Sequence, residues 1–190
     1  DVRHYGVYEN FERINVTGTQ HVIDFVETGI NKMMHHVSTK AIAEYPDHTI
    51  SFKEDDLYVG QKFKGRVYGK SKFEAEKLVN SYRKKGLNIN VYRIGDLIGR
   101  AKDGKFQKNI DTNRIYNNLK AIFKIKMITE EAINMGEMEF SSVDVCSRSM
   151  LELLLLEDAK NCNFSLTNHR LVPLRLVYEC LLELVAINYI

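Results

Sequence analysis

The sequence has little cysteine, no long apolar run and no surplus of one charge, and each shortage removes a class of protein. Its three cysteines, Cys146, Cys162 and Cys180, are odd in number, widely spaced and set among apolar residues. That pattern supports neither a disulfide framework nor a CxxC-type metal site, so reduced, buried thiols in a cytoplasmic protein are the expectation. The apolar stretch near the end, "LLELVAINYI", is interrupted by Glu183 and falls short of the ~20 residues a spanning helix needs. Nothing at the head of the chain reads as a signal peptide, so no membrane partner is expected. With 27 basic residues against 25 acidic ones and a net charge of +2, no single-sign field invites nucleic acid. The run "YRKKG" reads instead as a solvated helix end, where cations suit the dipole. A phosphate-cradling turn is also missing, because neither GxGxxG nor GxxGxxG occurs.

What is present is ordinary globular material. Hydrophobic residues make up 44% and charged residues 27% of the 190, values that argue against disorder and allow one compact domain or most of a larger one. In "VYENFERINVTGTQHVIDFVETGI", Phe11, Ile14, Val22, Phe25 and Val26 recur at helical spacing and Gly29 supplies a stop. The run "KMMHHVST" predicts a buried strand. It leads into a long polar loop over 40–64 that contains Pro46, Gly60 and the acidic cluster Glu54, Asp55 and Asp56.

A helix is expected from Val67 to Lys85, with Phe73, Ala75, Leu78 and Val79 on its apolar side and Gly86 as its cap. "LNINVYRI" follows as a strand, so helix, strand, loop, helix and strand describe crossover units of a parallel sheet, an α/β class. Further on, "GDLIGRAKDGKFQKN" reads as a loop and "TNRIYNNLKAIFKIKM" as a helix. "MEFSSVDVCSRSMLELLLL" reads as a strand end entering a helix, with Ser141 or Ser142 near its N-cap and Asp144 in its first turn. "NFSL" is a short strand, and Pro173 fits the first turn of a final helix. The chain opens without a strand and Gly-rich turn before its first helix and closes in mid-helix, which predicts a piece of a longer protein.

Tyr68 and Lys72 stand four residues apart, so one turn of helix stacks them on one face about 6 Å apart at Cβ. An ammonium held near a phenol favours the phenolate and lowers a pKa that is otherwise near 10. The same ammonium can hydrogen-bond a ribose hydroxyl, so the pair can serve as a proton-transfer device. Alone the spacing is weak evidence, since such pairs occur by chance on solvated helix faces. Ser38 and Thr39 close an apolar strand, the usual place for active-site residues in open parallel sheets. A hydroxyl there either donates to a substrate carbonyl oxygen or makes a local Ser/Thr turn. In "VYRIGDLIGR", Gly95 permits close backbone approach to a flat ligand. Arg93 reaches phosphate or substrate, or ties down a loop carbonyl.

Together "INVTGTQHVIDF", "HHVST", "VYGKSKFEAEKL" and "VYRIGDLIGR" come in the order and spacing of the extended short-chain dehydrogenase/reductases. They most resemble the thioester reductase domains of nonribosomal peptide synthetases and their carboxylic acid reductase and fatty-acyl reductase relatives. The opening "DVRHYGVYENFERINVTGT" resembles the segment after that family's fourth strand. "NIDTNRIYNNL" and "MGEMEFSSVDVCSRSMLELL" resemble its substrate-side helices and the junction after them.

The resemblance implies a partial Rossmann-like doubly wound parallel sheet with part of a small C-terminal substrate-binding subdomain. Residues 1–100 would form the catalytic half of an NAD(P)-binding core and 101–190 mostly substrate-side elements. It implies Thr39, Tyr68 and Lys72 as catalytic residues, and Ser38, Tyr68, Lys72, Arg93, Gly95 and Leu97 as cofactor-binding ones. Asn15 corresponds to a family asparagine that braces its helix against the sheet. The implied cofactor is NADPH and the implied partner an acyl or peptidyl carrier protein bearing a thioester. The family's phosphate-binding turn would lie upstream.

Other features carry less. His35 and His36 alternate across a strand, so at least one is packed against the sheet, and no third ligand at metal spacing accompanies them. Asp144 suits a helix N-terminus, and the acidic loop would repel an acidic carrier. Two rival expectations remain: another extended reductase-fold enzyme, such as a nucleotide-sugar epimerase or dehydratase, and a non-catalytic interaction fragment.

Overall fold

The computed structural model describes residues 1–3, 5–43, 52–106, 108, 110–125 and 129–187. The chain divides into two compact units. The first comprises Asp1–Ile94 and Ser147–Leu166, the second Gly95–Cys146 and Thr167–Ile190.

In the first unit the amphipathic opening segment folds as α1 (Tyr8–Phe11), a π-helical stretch (Glu12–Thr17) and α2 (Gly18–Glu27). The strand β1 (Met34–Thr39) ends in a short 3-10 turn over Lys40–Ala43. Pro46, expected within the following loop, lies outside the described residues. α3 (Val67–Arg83) stops where Gly86 takes φ +100, a left-handed conformation that glycine adopts without penalty. β2 (Ile89–Ile94) pairs in parallel with β1, Met34 opposite Ile89 and Thr39 opposite Ile94.

The second unit holds β3 (Leu97–Ile98), α4 (Arg114–Ile125), α5 (Glu130–Met135), β4 (Glu137–Glu139) and β5 (Ser141–Ser142). α6 (Val143–Leu154) starts there and runs on into the first unit. β6 (Asn163–Leu166) joins β2 in parallel, which makes the sheet order β1-β2-β6. β7 (Leu171–Pro173) and α7 (Leu174–Ile187) complete the second unit, where β3 pairs with β5 in parallel and β4 with β7 antiparallel. Pro173 therefore ends a strand one residue before the helix whose first turn it was expected to occupy. Its missing N–H costs nothing at either place.

The three-stranded parallel sheet and its crossover helix α3 confirm the α/β class. β1 and β2 alternate their side chains between two faces. Ile23 of α2, Met34 of β1, Val79 of α3 and Ile89 and Val91 of β2 form one buried cluster, each side chain contributing about 1.5–3 kcal/mol by leaving water. A second cluster of Ile42, Leu57 and Phe73 packs beyond the end of β1, with Phe52 and Phe63 against it. On the opposite sheet face His35 stacks on Tyr92, which stacks on Phe164. The cysteines, expected to be buried, are not: Cys180 is exposed, and Cys146 and Cys162 are half-buried. Among the described residues no helix is long and apolar enough to cross a membrane.

Candidate active site

The last three residues of β1 are the anchor of the site, because two turns of α3 hold two of them. Lys72 Nζ donates to the Val37 carbonyl at 2.6 Å. One turn further along the helix, Glu76 Oε2 accepts from Ser38 Oγ at 2.7 Å. Thr39, the next residue, is buried, and its Oγ1 accepts from the Ala41 amide at 3.3 Å. This is the local turn that the sequence allowed, and a hydroxyl that accepts in this way still has one O–H to donate.

Tyr68 and Lys72 share a face of α3, and both are half-buried. Burial holds the Lys72 ammonium below the usual lysine range, and the Glu76 carboxylate opposes that shift. Tyr68 is fixed through its backbone. Ser71 Oγ donates to the Tyr68 carbonyl at 2.8 Å and itself accepts from Asn15 Nδ2 at 2.9 Å. Asn15 Oδ1 also accepts from the Asp1 nitrogen at 2.7 Å, and its Nδ2 donates to the Asp1 carbonyl at 3.1 Å. Asn15 thus braces α3 and the chain's opening backbone from within the π-helical stretch.

Arg93 is 1% exposed and its guanidinium is engaged throughout. Nε and Nη2 donate to Glu76 Oε1 at 3.0 and 2.5 Å, Nη1 to the carbonyls of Lys53 and Glu54 at 3.2 and 2.9 Å, and Nη2 to that of Asp56 at 2.7 Å. Its ion pair with Glu76 is buried on both sides, and Phe52 covers the guanidinium 4.8 Å away. Of the two roles open to Arg93, this is the tie to loop carbonyls. The acidic loop is pinned further by Asn163 Nδ2 on the Glu54 carbonyl (2.8 Å) and by the Ser165 amide on Glu54 Oε1 (2.6 Å).

Gly95 and Leu97 belong to the second unit. A Cβ on Gly95 would lie 2.5 Å from Glu139 Oε2, so the group that approaches this glycine is a carboxylate of its own chain. Leu97 pairs with Ser141 in the β3–β5 ladder.

Two buried carboxylates, Glu76 and Glu139, lie outside the residues that the sequence singled out, while the burial of His36 meets the expectation that at least one of His35 and His36 packs against the sheet. Glu76 lies at the i+4 position from Lys72, among the apolar-stripe residues Phe73, Ala75 and Val79, and a charge in a buried stripe was the available signal. Glu139 Oε2 accepts from the Asp96 amide at 2.5 Å, and its Oε1 accepts from the Asn168 amide at 2.9 Å and from the Ser141 hydroxyl. His36 is 6% exposed and its Nε2 has no hydrogen-bond partner. Burial, then the charges of Lys72 and Arg83, push its pKa down to about 3.

A parallel sheet whose first strand ends in Ser38-Thr39, crossed by a helix that presents Tyr68 and Lys72 one turn apart, defines an extended short-chain dehydrogenase/reductase core. The chain belongs to the NAD-binding family described as Male sterility protein, which matches residues 1–150. It is 27% identical to a linear gramicidin synthase component of Brevibacillus parabrevis over 163 residues, which cover 85% of this chain and 3% of that protein. A thiolation-reductase di-domain from an archaeal nonribosomal peptide synthetase superposes with a TM-score of 0.77 at 29% identity, over 92% of this chain and 48% of that one. The reductase domain of the aureusimine biosynthetic cluster superposes with a TM-score of 0.76 at 25% identity, over 93% and 48% of the two chains. The chain thus spans about half the length of these solved reductase structures.

Proposed function

We propose that the protein to which this chain belongs releases a carrier-bound acyl or peptidyl thioester reductively, as an aldehyde, with NADPH as the reductant. The observation that carries this reading is the seating of Lys72. Its ammonium is half-buried, shares a helix face with Tyr68 and is anchored 2.6 Å from the Val37 carbonyl, two residues before Thr39.

An ammonium has three donors; one holds the strand, and the others suit a ribose hydroxyl and the phenol of Tyr68. The residues therefore fit the nicotinamide-riboside end of the cofactor, whose part is to supply hydride to the thioester carbonyl. Thr39 and Tyr68 donate hydrogen bonds to the oxygen on which negative charge develops, and Tyr68 transfers its proton there. Lys72 stabilises the phenolate left behind. The thiohemiacetal then expels the carrier thiol and leaves the aldehyde. Ser38 and Arg93 act from behind, holding strand and loop.

The relatives support the substrate class, since the matched proteins are a peptide synthetase component and reductase domains of such assemblies. The test is turnover of a carrier-bound thioester by the full-length protein, followed by NADPH absorbance and by aldehyde trapping. NADPH consumption with aldehyde formation is expected. Consumption that requires a nucleotide sugar instead would sink the reading.

A further inference from the structure

The face of α3 that carries Tyr68 and Lys72 continues one turn to Glu76, which the chemistry above does not use. Glu76 is 0% exposed, and a buried carboxylate is tolerated only when paired and hydrogen-bonded. Arg93 supplies the counter-charge with two N–H groups. The bond from Ser38 Oγ to the other carboxylate oxygen is additional to that pair. It completes a two-point grip in which Lys72 holds Val37 and Glu76 holds Ser38. A strand gripped at two successive residues cannot slide along the helix, and the third residue is Thr39.

We propose that Glu76 is a positioning residue of this site, fixing the register of β1 against α3 so that Thr39 meets Tyr68 and Lys72, and placing a fixed negative charge near the Lys72 ammonium. The proposal rests on the reductase reading above. The groups that face Lys72 are Tyr68 and Glu76 on its own helix, His36 from β1 and the backbone nitrogen of Asp1. Of these only Glu76 carries the sign that favours the ammonium, and His36 is neutral. Arg93, on the far side of the carboxylate, pairs with it and extends the grip to the loop carbonyls of Lys53, Glu54 and Asp56.

Glu76→Gln in the full-length protein keeps the shape and removes the charge. In the apo protein, the Lys72 titration midpoint followed by NMR should move to lower pH. In turnover, kcat should fall at least about tenfold, as a misplaced hydroxyl requires, and the alkaline limb of the pH profile should move to lower pH. KM for NADPH should stay within about twofold, because no cofactor contact is lost. A merely structural Glu76 would lower the melting temperature yet leave the Lys72 midpoint and the pH profile unchanged, and that result overturns the proposal.

Because Gln leaves Arg93 without its counter-charge, Ser38→Ala serves as the second variant. It keeps the ion pair and should show the same loss of kcat in a folded protein. Wild-type kcat in Ser38→Ala overturns the register role. Glu76→Asp should restore the Lys72 midpoint but not kcat, being one methylene short of Ser38. If Tyr68→Phe is inactive while Glu76→Gln and Ser38→Ala behave as wild type, the role of Glu76 alone falls. If Tyr68→Phe turns over normally, the reductase chemistry falls, and the apo titration of Lys72 still tests the electrostatic link.

Discussion

Asn15 Nδ2 donates to Ser71 Oγ across 2.9 Å, joining the π-helical stretch to α3 three residues from Tyr68. Ser71 is fully buried, so its hydroxyl has no water to replace that donor. Asn15→Ala should therefore cost about 1–3 kcal/mol, read as a drop in melting temperature of roughly 2–4 °C per kcal/mol for a chain of this size. Asn15→Asp loses the same donor and sets a carboxylate oxygen against the Ser71 hydroxyl oxygen and the Asp1 carbonyl, so it should cost at least as much. Thermal unfolding of the three proteins side by side checks this, and equal midpoints would show that the bridge bears no load.

Tyr68→Phe should remove most turnover with a carrier-bound thioester while leaving NADPH affinity nearly intact, since only the proton donor is lost. General acid catalysis of this kind is typically worth about 10²–10⁴-fold. Lys72→Ala should harm both kcat and NADPH binding, because in the proposed mechanism the ammonium serves the phenol and the ribose while it also holds the Val37 carbonyl. Steady-state kinetics with direct NADPH titration separates the two effects. Wild-type turnover in Tyr68→Phe contradicts the mechanism.

His36 makes stability depend on pH in a direction the geometry sets. Its folded pKa of about 3 lies below the ordinary histidine value of 6.5, so between these pH values the unfolded chain binds a proton that the folded one refuses. The stability tied to this group is complete above pH 6.5 and is lost as pH falls towards 3, with a slope of up to about 1.4 kcal/mol per pH unit. His36→Leu removes both the titration and the orphaned Nε2. Urea unfolding at pH 7.5 and pH 5 should show a smaller pH difference for the variant than for wild type. An unchanged difference would mean that His36 takes up its proton in the folded state.

The parts legible in the sequence were those carried by local periodicity and by strand-end position. Met34–Thr39 and Ile89–Ile94 are apolar runs between polar loops, and Val67–Arg83 has a clear apolar stripe with Gly86 behind it. Tyr68, Lys72 and Thr39 could be placed because each sits at a fixed offset within one such element. What escaped depends on partners far away in sequence. Arg93 meets Lys53, Glu54 and Asp56 across 37–40 residues, and nothing local distinguishes that from a ligand-facing arginine. The strand β7, of three residues, carries too little periodicity to read, whereas α5, with Thr129 before it and Gly136 after it, was legible in principle. Glu76 was legible in principle, as a carboxylate on the buried stripe of its helix.

Gly95 offers the sharpest separation between a structural and a ligand-facing reading of one position. A Cβ there would lie 2.5 and 2.6 Å from the two carboxylate oxygens of Glu139 and 2.6 Å from Ser141 Oγ. The carboxylate cannot swing aside, because the amides of Asp96 and Asn168 and the Ser141 hydroxyl all bind it and Glu139 is 5% exposed. Gly95→Ala should therefore destabilise by about 1–3 kcal/mol, the usual cost of overpacking. In a Glu139→Ala background the clash is gone, and the same substitution should cost much less, giving a coupling of about 0.5–3 kcal/mol in a double-mutant cycle. Were Gly95 instead kept for the approach of a nicotinamide ring, Gly95→Ala would raise KM for NADPH at an unchanged melting temperature, and no coupling to Glu139 would appear. Denaturant unfolding of the four proteins with NADPH titration of each decides between them, because the structural reading predicts coupling in stability and the ligand reading predicts loss of affinity alone.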